Sequence, residues 1–358
     1  MKINNPTDSI EQVLTVTVKD KNFQESLDEL ISLIQNLEAE VVINISMHQD
    51  SITSSHYLGK GKVLEVQKIL KEFSITTMVV NDNISPSQKK NLENELKVKV
   101  LDRTEVILAI FAIRAATKEA KLQVELAQLQ YLMPRLTNMW GHLSRQQGGI
   151  GTKGVGEKQI EIDRRIVQKK ISKLKKDLKK VIKTRSIQRK RRLESNLPLV
   201  SLVGYTNVGK STIFNYFKGK DVYAQNQLFA TLDTITKRIH YPDFSFYLID
   251  TVGFISKLPH FLVESFKATL EEVKLSDILL HIIDVSNPNH FKQMQAVDYV
   301  LSEMEISDKK IIKVYNKVDK LPQKYAAIFL KDNLTISAVS GENIDILVKK
   351  IQVITLAQ

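Results

Sequence analysis

The stretch LVSLVGYTNVGKSTIFN, residues 199 to 215, restricts the possible folds more than any other part of the chain. An apolar strand, Leu199 to Val203, runs into Gly204, then four residues, then Gly209-Lys210-Ser211 and a helical pattern. Strand, glycine loop and helix in that order make a phosphate-binding loop and require an α/β domain around them. Gly204 and Gly209 permit a tight turn, so that the backbone from Tyr205 through Thr206, Asn207 and Val208 to Thr212 wraps phosphates. Lys210 neutralises β/γ charge and the Ser211 hydroxyl is suited to ligate Mg²⁺.

Three further motifs follow in order. LIDTVG supplies Asp250, expected to reach Mg²⁺ through a water, and Gly253, whose amide can meet a γ-phosphate, with Thr251 and Val252 between them. VYNKVD supplies Asn316, Lys317 and Asp319. A carboxylate at Asp319 can accept from both N1 and N2 of guanine while the stem of Lys317 covers the base, which selects GTP over ATP. TISAVSGENI gives Ser337 and Ala338, placed to offer a backbone amide to guanine O6. Motifs at successive strand ends are what a switch-point site requires. Between the first two lies FATLDTIT, where one threonine completes the Mg²⁺ shell; Thr231, next to Phe229 and Ala230, is the choice, with Thr234 and Thr236 in reserve. Catalysis then falls to Lys210, Thr231 and Gly253. The residue after DTVG is Phe254, where Ras-type enzymes carry a water-orienting glutamine. A phenyl ring cannot orient water, a deficit of roughly 10²–10⁴ in rate.

Ahead of this domain, β-branched runs alternate with helical stretches. VLTVTV (13–18), VVINIS (41–46), TTMVV (76–80) and VKVL (98–101) are expected strands, with helices near 24–39 and 62–73 and another opened by Ser85 or Ser87 and Pro86. The alternation implies a parallel sheet in a small domain over 1–103. From Thr104 to Met133 no glycine or proline interrupts a dense run of helix formers. Leu122, Leu126, Leu129, Met133 and Leu136 form one narrow stripe; Val167, Ile171, Leu174, Leu178 and Val181 form another. These predict a long antiparallel helical hairpin over 104–195, with arms on the order of 45 Å, followed by the nucleotide domain over 196–358.

The chain carries a net charge of +12, and residues 161–193 hold 15 Lys or Arg against three acids, so that this one segment accounts for all of it. Such a surface suits a polyanion, the alternative being a solvated helix face. The connecting loop, 141–156, packs six of the 13 glycines next to the one tryptophan, Trp140. Trp140, Arg145, Lys153, Arg164 and Arg165 are the candidate RNA contacts. With no cysteine, no spaced histidine ligands, no long apolar run and no signal-peptide pattern, disulfide chemistry, a transition-metal enzyme and a membrane span are not expected, and the cytosol is the natural compartment.

The stretches DTVGFISKLPHFLVESFKATLEE, LFATLD, LQVELAQLQYLMPRL, GGIGTKGVGE with QIEIDRR, and SPSQKKNLENELKVKVLDRTEVIL resemble the HflX family of Obg-like translational GTPases over nearly the whole chain. The resemblance implies a cytosolic, monomeric GTPase that binds the large ribosomal subunit and its rRNA, reaches toward the peptidyl-transferase region with the loop 141–156, and splits stalled or idle ribosomes. It also implies slow turnover relieved by the ribosome; a further expectation is that Asn207, facing the α/β-phosphate bridge, helps seat a potassium ion. Val155, Lys158 and Ile235 depart from the family pattern, and the chain's end about 20 residues after Ser337-Ala338 leaves out the C-terminal domain of longer members. Other readings are a nucleotide-gated RNA-binding module with negligible turnover, a ribosome assembly factor, and an ATP-driven RNA remodeller, which Asp319 opposes.

Overall fold

The computed structural model describes residues 10–139, 155–193, 197–219, 228–257, 259, 261–262, 272–304, 306, 309–322 and 333–356. The chain divides into two compact units, one built from Met1–Ile113 with Leu126–Leu174, the other from Arg114–Glu125 with Lys175–Gln358.

The first unit contains a four-stranded parallel sheet. Its strands are β1 (Glu11–Lys19), β2 (Ala39–His48), β3 (Thr77–Val80) and β4 (Lys99–Asp102), in the order β2-β1-β3-β4. The connections are α1 (Phe23–Gln35), α2 (Lys60–Glu72) and α3 (Pro86–Leu96). All strands are parallel because each return passes through a helix, as the alternation of patterns required. Ser85, not Ser87, caps α3: its hydroxyl accepts from the Gln88 amide and Gln88 bonds back to the Ser85 amide, with Pro86 opening the helix. The first expected helix is shorter than its pattern, ending at Gln35 so that β2 can begin at Ala39. Leu14, Val16, Ile45, Met47, Met78, Val80 and Val100 form the sheet's share of the core.

The helix-forming run that begins at Thr104 does not make one helix. It breaks into α4 (Arg103–Arg114) and α5 (Lys118–Met139). Thr117 starts the second piece, its hydroxyl accepting from the Ala120 amide, which is the behaviour of a β-branched hydroxyl residue at a helix start. On α5 a deeply buried stripe is Ala120, Val124, Ala127 and Tyr131, two positions off the leucine seam read from the sequence. Of that seam Leu126 and Leu136 are buried and Leu122, Leu129 and Met133 are half-buried. Arg135 lies over the Tyr131 ring at 3.3 Å, and both side chains converge on the buried carboxylate of Asp102. The basic helix α6 (Val155–Leu193) does keep its expected seam, Leu174 buried and Val167, Ile171, Leu178 and Val181 half-buried, with the lysines from Lys169 to Lys183 turned to solvent.

The second unit holds a five-stranded sheet in the order β6-β7-β5-β8-β9, from β5 (Leu199–Gly204), β6 (Ile235–Tyr241), β7 (Phe244–Asp250), β8 (Ile278–Asp284) and β9 (Lys310–Asn316). Only β6 is antiparallel to its neighbour. β5 and β8 are buried along their whole length, so they read as largely apolar runs, interrupted by Ser201 and His281, while edge strand β6 does not. Its helices include α7 (Lys210–Tyr216), α8 (His290–Glu303) and α9 (Ile344–Leu356); α9 buries Ile344, Leu347, Val348 and Ile351 on one face.

His281 interrupts the apolar run of β8 at 1% exposure, its Nδ1 3.4 Å from Asp298 on α8. Burial lowers its pKa from 6.5 to about 4, opposed by Asp298 and assisted by Lys313 and Lys210. Its folded pKa lies below its unfolded one, so the stability it contributes is complete above about pH 6.5 and is lost as pH falls toward 4. Between about pH 6.5 and 4.5 chemical denaturation followed by circular dichroism should therefore show about 2 kcal/mol less loss in His281→Gln than in the parent chain.

Candidate functional site

The carboxyl ends of β7, β5, β8 and β9 lie along one edge of the sheet in that order; the first three motifs follow β5, β7 and β9, and Ser337-Ala338 follows the bridge of Thr335 to Tyr315 on β9. Between β5 and α7 the chain turns through Asn207 and Gly209 in left-handed conformations, at φ 61° and 99°. A Cβ on Gly209 would stand 2.3 Å from the Asn316 amide nitrogen, so glycine is required by space as well as by φ. Lys210 is buried, and its ammonium donates to the carbonyls of Gly204 and Tyr205 at 3.0 and 2.6 Å. Burial lowers its pKa to about 8, with the Asp250 carboxylate opposing. Thr206, Asn207, Gly209, Lys210, Ser211, Thr212, Phe229, Ala230, Thr231, Thr251 and Gly253 line one cleft.

At the floor of the cleft three oxygens from three separate segments converge. Ser211 Oγ lies 2.7 Å from Thr231 Oγ1, which donates to Asp250 Oδ2 at 2.8 Å. Asp250 is 1% exposed, and its other oxygen, Oδ1, has no hydrogen-bond partner among the described residues. Burial raises the Asp250 pKa, against the Thr231 hydrogen bond and the Lys210 charge. Of the three candidate threonines only Thr231 joins this cluster; Thr236 is already part of β6, paired with Ile249. A hard divalent cation suits such a group of hydroxyl and carboxylate oxygens with one unspent lone-pair site.

Gly253 closes the cleft from the β7 side, where an added Cβ would meet Lys210 Nζ and Thr206 Cα, each at 2.9 Å. The Thr251 hydroxyl is spent on the Leu202 carbonyl at 2.6 Å and Val252 is buried, so both side chains hold the turn. Phe254 is buried at 5% exposure, and its backbone extends the sheet: its amide donates to Gly204 and its carbonyl accepts from Thr206 at 2.7 Å. The Tyr205 hydroxyl accepts from the Ser256 amide at 2.6 Å. The residue in the glutamine position is thus stitched into the phosphate loop through its backbone, with its ring in the core.

At the other end of the loop, the Asn316 carboxamide donates to the Val208 carbonyl at 2.8 Å and accepts from the Ala338 amide at 3.0 Å. Ser337 is fully buried behind it and its hydroxyl accepts from the Ser340 amide. Lys317 has φ 66° and reaches back to the Asn207 carbonyl, while Asp319 is exposed on the short 3₁₀ turn Val318–Lys320. Trp140, Arg145 and Lys153 lie outside the described residues; Arg164 and Arg165 are exposed on α6.

Sequence reasoning missed two carboxylates. Asp284, at the end of β8, pairs with Lys317 at 2.7 Å. Its signal was the D-x-S turn that Asp284 and Ser286 make. Asp233, two residues past Thr231, accepts from the amides of Ala116 and Thr117, each at 3.1 Å, and from the Thr117 hydroxyl. Nothing local marks that contact, because 116 residues separate its partners.

Family comparisons cover the chain in three consecutive pieces. "GTP-binding GTPase N-terminal" matches residues 24–112, "GTP-binding GTPase Middle Region" residues 114–192, and "50S ribosome-binding GTPase" residues 199–317. The chain is 45% identical over 310 residues to the GTPase HflX of Caldanaerobacter subterraneus, covering 86% of this chain and 72% of that one. It is 44% identical over 353 residues to that of Lacrimispora saccharolytica, covering 96% and 83%, and 42% identical over 318 residues to that of Escherichia coli, covering 88% and 74%. Among solved structures, the SsGBP and GDP complex superposes with a TM-score of 0.54 at 25% identity, over 98% of this chain and 99% of that one. A GTP-binding protein of Sulfolobus solfataricus in complex with GDP gives 0.52 at 24%, over 97% and 99%, a likeness of fold. This chain is a GTP-binding, GTP-hydrolysing protein and belongs to the HflX family of GTPases.

Proposed function

We propose that the chain couples its GTPase cycle to the large ribosomal subunit, binding it in the GTP state and separating stalled or idle ribosomes into subunits. The observation that carries this reading is α6: a helix with most of its charge of one sign and the lysines from Lys169 to Lys183 exposed beside a narrow apolar seam, a surface suited to a phosphate backbone. The match of residues 199–317 to a family described as "50S ribosome-binding GTPase" supports it. In this reading the chain works as three parts, 1–103, the hairpin 104–195 and the nucleotide domain 196–358, as a cytoplasmic monomer. Trp140, Arg145, Lys153, Arg164 and Arg165 are its rRNA contacts.

P-loop GTPases use nucleotide-bound Mg²⁺, and the residues here fit it. Ser211 and Thr231 would hold the ion directly and Asp250 through a water, the ion supplying charge neutralisation on the phosphates. The chain's own groups do the rest. Lys210 exchanges its two backbone carbonyls for phosphate oxygens, the amides from Asn207 to Thr212 orient the phosphates, and the Gly253 amide faces the terminal one. Asp319 accepts from guanine N1 and N2, and Ser337 and Ala338 close over O6. Phe254 contributes no hydrogen bond to water, so turnover in isolation is slow and alignment is restored when the subunit orders the segment around Thr231.

Steady-state GTP hydrolysis, measured alone and with purified large subunits at matched salt, should rise by about tenfold or more with subunits; a flat rate sinks the coupling. Thr231→Ala should lower the stimulated rate on the order of 10², while Thr234→Ala leaves it near the parent value. Asn207 is proposed to seat K⁺ beside the phosphates, so turnover in KCl should exceed that in NaCl, and equal rates overturn the potassium site.

A further inference from the structure

We infer that Asp284 is a positioning residue for the nucleotide: it clamps the Lys317 ammonium so that the lysine stem is already stretched as a wall for the base before the base arrives. The inference rests on the assignment of Lys317 and Asp319 to the base subsite.

Three observations build it. Asp284 and Asn316 are register partners at the ends of adjacent strands β8 and β9, and the Val285 amide donates to the Asn316 carbonyl at 3.1 Å. The sheet itself therefore fixes the carboxylate beside the NKVD turn. Both carboxylate oxygens of Asp284 are committed. Oδ1 accepts from the Ser286 amide and hydroxyl at 3.0 and 2.6 Å, leaving Oδ2 to take Lys317 Nζ at 2.7 Å. Lys317, at φ 66°, sends the other side of the same ammonium to the Asn207 carbonyl at 2.7 Å. The two side chains are 14% and 12% exposed, so the pair is shielded from water and is not a surface ion pair.

A lysine side chain is among the most costly to immobilise, and a contact made to an already ordered one escapes that cost. Held at the P-loop by Asn207 and at β8 by Asp284, the four-carbon stem presents an apolar face of fixed position. This device tightens binding of any base that stacks on the stem and does not read the guanine edge, which Asp319 does. It also joins the base subsite to the phosphate loop, because the ammonium touches the backbone of Asn207.

The test is equilibrium and stopped-flow binding of a fluorescent GDP analogue to full-length Asp284→Asn, Lys317→Met and the double variant. Asp284→Asn keeps an acceptor for Ser286 and removes the charge facing the ammonium. It should weaken binding on the order of tenfold, mostly through faster release, and by the same factor for the inosine analogue, which lacks N2. In the Lys317→Met background the same change should cost nothing further. Unchanged affinity in Asp284→Asn, or losses that simply add in the double variant, overturns the clamp. Should Asp284→Asn melt early, Ser286→Ala decides: a severalfold loss that disappears with Lys317→Met supports the clamp, and no loss overturns it. Asp319→Asn serves as the separate check on the subsite itself: if it leaves the preference for guanosine over xanthosine diphosphate unaltered, the base assignment fails whatever Asp284 does.

Discussion

One carboxamide holds the nucleotide site together. Asn316 bonds the Val208 carbonyl of the phosphate loop with its nitrogen and the Ala338 amide with its oxygen, so segments more than a hundred residues apart share one planar group. Buried polar groups of this kind are costly without partners, and here nitrogen and oxygen each find one in the backbone, which cannot be lost to a rotamer change. Gly209 has to be glycine because Asn316 occupies the space of its Cβ. The P-loop geometry is therefore set as much from β9 as from its own strand.

The phosphate end has the opposite character. Lys210 and Asp250 are both deeply buried, and burial disfavours the charged form of each. Their stabilisation comes from borrowed partners: two carbonyls for the ammonium, and a threonine hydroxyl for the carboxylate. A site in this condition gains more from a polyanion and a cation entering together than from either alone, since each ion satisfies the group the other leaves exposed. Phe254 belongs to the rigid part of this arrangement, with its backbone bonded at Gly204 and Thr206.

What could be read from the sequence follows the range of the interaction. Strands β1 to β4 and the start of α3 were legible because alternation, a β-branched run and a Ser-Pro-Ser helix start are decided within a few residues; the choice of Ser85 over Ser87 came from the capping box with Gln88. The four nucleotide motifs were legible because phosphates and a guanine edge demand fixed residue types at strand ends. The stripe on α5 was misjudged: leucine spacing pointed to one face, whereas a deeply buried stripe is Ala120, Val124, Ala127 and Tyr131, chosen by what packs against them. The break at residues 115–117 contains neither glycine nor proline; Asp284 shows locally only as a D-x-S turn, its lysine partner being distant, and Asp233 announces itself only through distant partners. The choice of Thr231 over Thr234 rested on its place in FATLD, and the cluster with Ser211 and Asp250 gives that choice a geometric reason.

The Asp233 contact sets a limit on travel. Its carboxylate is fastened to the backbone just ahead of α5, and Thr231 follows two links behind it along the chain. Two residues of fully extended backbone span about 7 Å. While the fastening holds, Thr231 is a weight on a short leash: it can leave Asp250, but its Cα stays within about 7 Å of that of Asp233. Any larger swing has to pull the carboxylate off the α5 entry first, so the reach of the loop is metered by a knot tied outside the cleft.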